Sequence, residues 1–459
     1  MGFLEKIYNG SPIFFQNLMV TVAGYQKNKQ RYGKIYWEQR AFLSEFDTWT
    51  FEEQQAYQNK ELTKFIRYAA KNSSFYKQLY ADVDLDQIQS VQDLKLLPIV
   101  DKEMLRSNMK EIVTVPEKGA IIEKTGGTTG TSLVIFRTVE DQQKRMAMLD
   151  HFKSRVGFEN RKMKRAIFSA KPIVPPKQKQ KIFWRYNAAG KQMIYTPFRL
   201  SEENIKYYVN SLNRFKPHAM EGYFSSMCDI AQYIERHQLS LAFTPIAIFP
   251  TSETLTKSGR ELLERVFRCK VYDQYASSEG APFVTECSCQ TLHMEMASGV
   301  FEPFEEDSNE VLVTSFTSHG TPLIRYQIGD AMIFSEESTE NCHCGLDAPI
   351  IREIQGRTLD FLYTADGVKM NAANVTNLFK VVENAIVRTQ IIQNQKDEII
   401  ILLEVDKQRY EPKHEVLLTE EFQRRFGINT SVTIQYTDQI PKEKSGKFRM
   451  IKNNVDIQN

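Results

Sequence analysis

Apolar residues recur at helical three- and four-residue steps from Glu52 to Lys71, which predicts a helix in a first hundred residues rich in Gln, Lys, Glu and Tyr. Leu96-Leu97-Pro98-Ile99-Val100 then reads as extended. Further on, helical spacing covers Asp141 to Arg155, Ser201 to Phe215, Ser225 to Arg236 and Lys257 to Phe267. Short apolar runs between them, at Ala166 to Ser169, Pro245 to Pro250 and Lys270 to Tyr272, read as strands. Such alternation predicts an α/β core. From Val300 the pattern turns β-rich, with strands at Glu310 to Thr314 and Ile350 to Ile354.

Beyond Asp360 a smaller unit is expected. Asn374 to Glu383 and Glu415 to Phe426 read as helices, the second closed by Gly427, and Glu398 to Val405 and Ser431 to Tyr436 read as strands. About a hundred residues make an α+β lid. The predicted fold is therefore α/β and α+β, with a large multi-subdomain body and a small mobile C-terminal lid. The expected divisions are a helical segment over 1–100 packed on the body, a core with a β-rich part over 101–360, and the lid over 361–459.

Composition narrows the class. At 459 residues, 42% hydrophobic and 11% aromatic, the chain can fill more than one packed core. A formal net charge of +2 provides no global field for nucleic acid or an anionic membrane. Met1 to Gly10 reads as neither a signal peptide nor a myristoylation site, since Lys6 stands where Ser or Thr is wanted. Ile13 to Val20 is apolar but too short to span a bilayer. Packing on the body is expected of it, with an amphipathic helix on a membrane surface as the alternative. A cytoplasmic location is expected, peripheral attachment to the inner membrane staying open, as does a homodimer.

Several loops carry candidate chemistry. Thr125-Gly126-Gly127-Thr128-Thr129-Gly130-Thr131-Ser132 offers amide and hydroxyl donors on a backbone that can approach an anion. It lacks Walker A spacing, and a surface turn of small polar residues is the plain alternative. Tyr275-Ala276-Ser277-Ser278-Glu279 follows a core strand, where a ring, a hydroxyl and a carboxylate can meet a nucleotide base, its phosphate and a magnesium ion. In Pro322 to Asp330 the carboxylate of Asp330, expected in a loop after Gly329, can accept ribose hydroxyls. Gly356-Arg357-Thr358-Leu359-Asp360 falls where a hinge is expected. Pro441 to Arg449 places Lys447 on a glycine turn. Each segment alone has an ordinary turn as its alternative reading.

Taken in order, the five segments resemble the core motifs of the adenylate-forming superfamily. Ser11-Pro12-Ile13 and Gln16-Asn17-Leu18, with the cysteine pattern, resemble its phenylacetate–CoA ligase branch, and within that the CapK-type capsular polysaccharide biosynthesis proteins. The resemblance implies that Thr125, Gly126, Gly127, Thr128, Thr129, Gly130 and Thr131 wrap the ATP phosphates. It implies that Tyr275 lies against adenine, Ser278 bonds the α-phosphate and Glu279 holds magnesium. It further implies that Asp330 binds ribose, Arg357 helps place the nucleotide, and Ser252 and Glu253 line the adenine pocket. Lys447 is implied as the contact to the α-phosphate and the substrate carboxylate. Gly126, Ser132, Ala276 and Ser278 depart from the residues customary at their positions, which bears on loop geometry and rate.

Six cysteines are present. Cys228 and Cys269 are isolated and expected to be buried. Cys287, Cys289, Cys342 and Cys344 form two tight pairs, which point to a metal before a disulfide. Cys287, His293, Cys342 and Cys344 supply the four ligands that Zn²⁺ takes, in an arrangement that resembles this ligase branch. Cys289 stays open as a substitute, and four unligated thiols are the alternative.

The implied reaction is activation of a small carboxylic acid by ATP and Mg²⁺ as an acyl-adenylate, then transfer to a thiol, as in coenzyme A, or to an amine. The acid pocket is expected around Tyr223 to Met227 and Phe249, with a core role for Tyr223 and Phe249 equally open. The reading from a different class is a non-catalytic, zinc-stabilised scaffold in a polysaccharide assembly complex. ATP binding discriminates the two.

Overall fold

The computed structural model describes residues 3–124, 133–169, 171–306, 308–335, 342–357, 361–371, 375, 378–382, 385–441 and 448–455. Helices α1 (Phe3–Gly10), α2 (Ile13–Arg31), α3 (Lys34–Phe46) and α4 (Phe51–Asn72) lead the chain. α4 starts at Thr50, which forms a reciprocal capping box with Glu53: Thr50 Oγ1 accepts from the Glu53 amide, and Glu53 Oε2 accepts from the Thr50 amide at 2.9 Å. Its buried stripe is Gln58, Leu62, Phe65, Ile66 and Ala69. Of the segment expected to be extended, only Leu96 ends a 3-10 turn (Val91–Leu96); Leu97 is extended and Val100 bridges Tyr326.

A short antiparallel hairpin, β1 (Ile121–Lys124) and β2 (Val134–Arg137), leads into α5 (Val139–Arg155). A six-stranded sheet follows. It is built from β3 (Arg165–Phe168), β4 (Trp184–Asn187), β5 (Gln192–Tyr195), β6 (Ala219–Tyr223), β7 (Ala247–Thr251) and β8 (Lys270–Val271), in the order β4-β5-β3-β6-β7-β8. Only β4 runs antiparallel to its neighbour. The parallel links from β5 to β8 are made by α6 (Glu202–Phe215), α7 (Phe224–Arg236) and α8 (Lys257–Phe267). Alternation along β7 shows why both faces are covered. Ile248 joins the core under α6, α7 and α8, while Ala247 and Phe249 join Phe152 and Phe158 on the α5 side. Phe249 is thus core.

Seven strands form the β-rich part: β9 (Gln274–Tyr275), β10 (Val284–Glu286), β11 (Leu292–Met294), β12 (Gly299–Pro303), β13 (Glu310–Ser315), β14 (Tyr326–Phe334) and β15 (Ile350–Arg357). Their order is β12-β13-β14-β15-β11-β10-β9, antiparallel throughout. Val300, Val313, Tyr326 and Met332 of this sheet share one core with Leu62, Phe65 and Ile66 of α4.

A hairpin of β16 (Phe361–Tyr363) and β17 (Lys369–Asn371) precedes the last sheet, of β18 (Ile386–Gln395), β19 (Glu398–Val405), β20 (Ser431–Tyr436) and β21 (Ile451–Asn453). Its order is β20-β19-β18-β21, and α9 (Pro412–Phe426) makes the parallel crossover from β19 to β20. Leu418, Phe422 and Phe426 of α9 seal a core with Ile399, Ile401 and Leu403 that, among the described residues, is drawn from 362–451. Of the helix expected over 374–383, Val375 is helical and Leu378–Val382 form a 3-10 turn among the described residues.

Candidate active site and cysteine–histidine cluster

In an open parallel sheet the strand ends release loops at one edge, and ligands bind there. β7 ends at Thr251, and Ser252 takes a left-handed conformation (φ 68°) that turns the chain toward Glu253. β8 leads through Tyr272 and Asp273 into β9, which carries Tyr275 into the second sheet. Here the two sheets join.

At this junction the Tyr275 hydroxyl donates to Asp330 Oδ2 at 2.6 Å. Asp330, expected in a loop, lies within β14 and is the register partner of Arg357 in β15. The strand accommodates the glycine before it because Gly329 takes φ +76°, and the pairing with β15 shifts register at Ala331–Met332. Gly356, also left-handed, approaches the loop after β7 so closely that a Cβ there would stand 2.7 Å from Thr254 Oγ1. Tyr275, Asp330, the Arg357 backbone and the Ser252–Thr254 turn are therefore brought together.

Past Tyr275, the hydroxyl of Ser277 accepts from the amides of Gly280 and Ala281 at 3.1 and 3.0 Å, folding the segment into a tight turn. Glu279 within it is buried and Ser278 is exposed. Two arginines that the sequence reading missed hold this turn. Arg137 of β2 donates to the Ser278 carbonyl at 3.1 Å and pairs with Glu123 of β1 at 2.8 Å. Arg145 of α5 donates to the carbonyls of Gly280 and Ala281 at 2.9 and 2.8 Å and lies over the Phe283 ring. The hairpin carrying the Thr125–Ser132 loop is thus tethered to the turn carrying Glu279. The loop itself lies outside the described residues.

Glu253 does not stand alone. Its carboxylate accepts from the amide and hydroxyl of Ser225, in the first turn of α7, at 2.6 and 2.9 Å. It also accepts from the amide of Phe448 at 3.2 Å. Lys447, next in the chain, lies outside the described residues, as does Asp360. Farther along α7, Asp229 forms an ion pair with Arg388 of β18, whose other nitrogen lies 3.3 Å from Glu404. Gln232 donates to the Val387 carbonyl at 3.3 Å. Burial alone would lower the Arg388 pKa; Asp229 and Glu404 more than offset it, so the guanidinium is raised. Its plane also faces the Phe448 ring, 5.3 Å from the centroid. Helix α7 therefore contacts the start of β18 directly and, through Glu253, supports the contact to Phe448.

The second cluster lies at the far end of the seven-stranded sheet. Cys287 follows β10, His293 is in β11, and Cys342 and Cys344 precede β15; their ligand atoms all lie within 4.8 Å of one another. Sγ of Cys287 and Cys342 are 3.4 Å apart, and Cys344 Sγ is 3.6 Å from His293 Nε2. A zinc tetrahedron with bonds of about 2.0–2.3 Å has edges near these separations. His293 Nδ1 lies 2.9 Å from the Ala348 carbonyl, which fixes the ring with Nε2 toward the thiols. The Leu346 amide donates to Cys344 Sγ. The donor set therefore fits zinc. Cys289 and His343 are exposed and outside the group. Cys228 and Cys269, expected buried, are half-buried.

A mixed sheet at whose strand ends a tyrosine, two carboxylates and a C-terminal unit meet is the fold of the adenylate-forming ligases. A 2-hydroxyisobutyryl-CoA ligase in its postadenylation state superposes with a TM-score of 0.71 at 14% identity, over 89% of this chain and 91% of that one. The same ligase in its thioesterification state gives 0.54 at 16% identity, over 89% and 91%. The chain belongs to the CapK family. It is 38% identical to Protein CapK of Staphylococcus aureus over 455 residues, 98% of this chain and 100% of that protein, and residues 362–454 match the CapK C-terminal domain.

Proposed function

We propose that the protein joins a small carboxylic acid to ATP as an acyl-adenylate and then passes the acyl group to an acceptor. The observation that carries this reading is the Glu253 carboxylate. From the strand-end loop beside Tyr275 and Asp330 it accepts from the Phe448 amide at 3.2 Å. Phe448 directly follows Lys447 in the sequence, which supports assigning that lysine to this site in the proposed reaction.

In this reading Tyr275 and Asp330 receive the nucleoside, with Ser252 and Arg357 beside them. The Thr125–Thr131 segment and Ser278 donate to the phosphates, and Lys447 brings positive charge to the α-phosphate. The carboxylate oxygen attacks the α-phosphorus, the bond to the β-phosphate breaks, and pyrophosphate leaves. The acid is already ionised, so no base is required; stabilising the gathering negative charge is the main demand. Magnesium, for which Glu279 is the ligand in this reading, supplies further positive charge beside the phosphates when bound. The acceptor then attacks the acyl carbon, AMP leaves, and the acceptor's proton passes to water.

The postadenylation state of the 2-hydroxyisobutyryl-CoA ligase superposes better than its thioesterification state, which supports an arrangement suited to the first step. The thioesterification-state structure of that ligase contains CoA, which supports a thiol acceptor. Membership of the CapK family supports a place in polysaccharide assembly, where an amine on a sugar is the matching acceptor. Zinc held by Cys287, His293, Cys342 and Cys344 is structural in this reading, since four protein ligands leave no open position.

The test is pyrophosphate release from ATP with a panel of carboxylic acids, then with coenzyme A or amino sugars added. Acid-dependent release in the wild-type protein, and its loss by a factor of about a hundred or more in Lys447→Ala with ATP binding kept, is expected. ATP binding without acid-dependent release from any acid would remove the adenylation step.

A further inference from the structure

Helix α2 is docked the wrong way round for a helix on a water-soluble surface. Such helices turn apolar residues inward. In α2 the polar side faces the body, because β4 is an edge strand whose outward amides need acceptors. Asn17 Oδ1 accepts from the Tyr186 amide at 2.9 Å, and Thr21 Oγ1 accepts from the Ala188 amide at 3.1 Å. Asn28 donates to the Ala189 carbonyl at 3.0 Å. Gln16, buried, accepts from the buried Arg185 at 2.6 Å. Gly24 lets the helix approach, since a Cβ there would meet the Asn187 side chain at 2.4 Å.

The outer side is left to Phe14, Leu18, Val22 and Tyr25, which are 74%, 53%, 49% and 58% exposed. At 100° per residue they fall within an arc of roughly 80°. Leu4 of α1 is also 71% exposed. A contiguous exposed apolar stripe of this kind marks an interaction face.

Charge indicates what covers it. Residues 160–201 contain eleven Lys and Arg and no Asp or Glu, and residues 1–37 contain five and one, in a chain whose net charge is only +2. These two segments are neighbours. The Tyr8 hydroxyl of α1 donates to the Ile173 carbonyl at 2.6 Å, and Arg185 is shared between Gln16 of α2 and Gln178. Lys177, Lys179 and Lys181 of the 160–201 segment are exposed. An exposed apolar helix face beside a row of lysines fits an anionic bilayer surface, with the apolar side chains among the acyl chains and the lysines at the head groups. No helix among the described residues is long and apolar enough to cross a membrane, so α2 would lie in the plane.

We infer that α1, α2 and the 171–181 loop form a docking surface for an anionic membrane, independent of the proposed reaction. The test is cosedimentation of the full chain with vesicles of phosphatidylcholine, alone or mixed with phosphatidylglycerol at about three to one. Binding to the mixed vesicles at least tenfold tighter than to the neutral ones, weakening as salt rises, is expected. Phe14→Ser with Leu18→Ser should lower that affinity tenfold or more, and Lys177→Glu with Lys179→Glu and Lys181→Glu should erase the preference for the anionic vesicles. All these positions are exposed, so the variants should melt like the wild type and release pyrophosphate at its rate. No binding to either vesicle would overturn the inference. So would equal binding to both, or a dimer that the Phe14→Ser, Leu18→Ser variant dissolves, which would make a second copy the occupant.

Discussion

Tyr275 and Asp330, fifty-five positions apart, share a hydrogen bond of 2.6 Å that joins the edge strand β9 to the inner strand β14 of the antiparallel sheet. In the proposed reaction the hydroxyl would orient the carboxylate for the nucleotide. A hydrogen bond to a charged group contributes about 1.5–3 kcal/mol. Tyr275→Phe should therefore raise the KM for ATP by roughly tenfold while changing kcat little. Steady-state pyrophosphate release against ATP concentration reads this, and an unchanged KM would show that Asp330 does not need the phenol.

The contact between α7 and β18 should govern how the C-terminal unit sits. Asp229→Asn removes the carboxylate from a buried pair and leaves Arg388 with Glu404 alone. Breaking such a pair costs on the order of 3 kcal/mol. Limited proteolysis between body and C-terminal unit should quicken by about tenfold, and pyrophosphate release should slow. Wild-type proteolysis kinetics would mean that the pair does not restrain the unit.

Cys342→Ser should remove bound zinc and lower the melting temperature by about 5 °C or more. A strong chelator should do the same to the wild type but little to the variant. Metal analysis by mass spectrometry with a thermal melt reads both. Equal melting curves and equal metal content would separate the cluster from zinc.

Glu221, in the middle of the parallel sheet, takes Lys153 at 2.9 Å and Arg165 as partners. Burial alone would raise its pKa, but Arg165 and Lys153 together pull it down to about 2 from 4.5. A depressed carboxylate stabilises the fold above its unfolded pKa, and that contribution fades as pH falls from 4.5 toward 2. Glu221→Gln should cost about 3 kcal/mol at pH 7, leaving Lys153 buried without its charge partner. Denaturant unfolding across pH should show the difference between variant and wild type shrinking on acidification; a constant difference would deny the linkage.

Periodic segments were legible in the sequence because their own residues decide them. The helix Lys257–Phe267 and the strands Glu398–Val405 and Ser431–Tyr436 occur with the expected limits. β4 was not legible, because Arg185 and Asn187 are buried only after Gln16 and its neighbours on α2 arrive to bond that strand. Gly329 reads as a turn, which predicts a loop for Asp330, whereas β14 holds both in a strand and pairs Asp330 with Arg357. The cysteine–histidine set was legible from ligand type and spacing, and the structure brings all four ligand atoms together. Arg137 and Arg145 gave no signal, since an arginine that holds a loop by its carbonyls looks in sequence like any surface charge. The Asp229–Arg388 pair spans 159 positions, beyond any local pattern.

Ser225, Asp229 and Gln232 follow one another along a single side of α7, covering about 10 Å of its length. Contacts arranged on one rigid rod cannot loosen one at a time if the rod tilts. A few degrees of tilt would disturb both Glu253, which accepts from the Phe448 amide, and the Asp229–Arg388 pair at the base of β18. Release of the Phe448 amide and swivelling of the C-terminal unit would then be a single event.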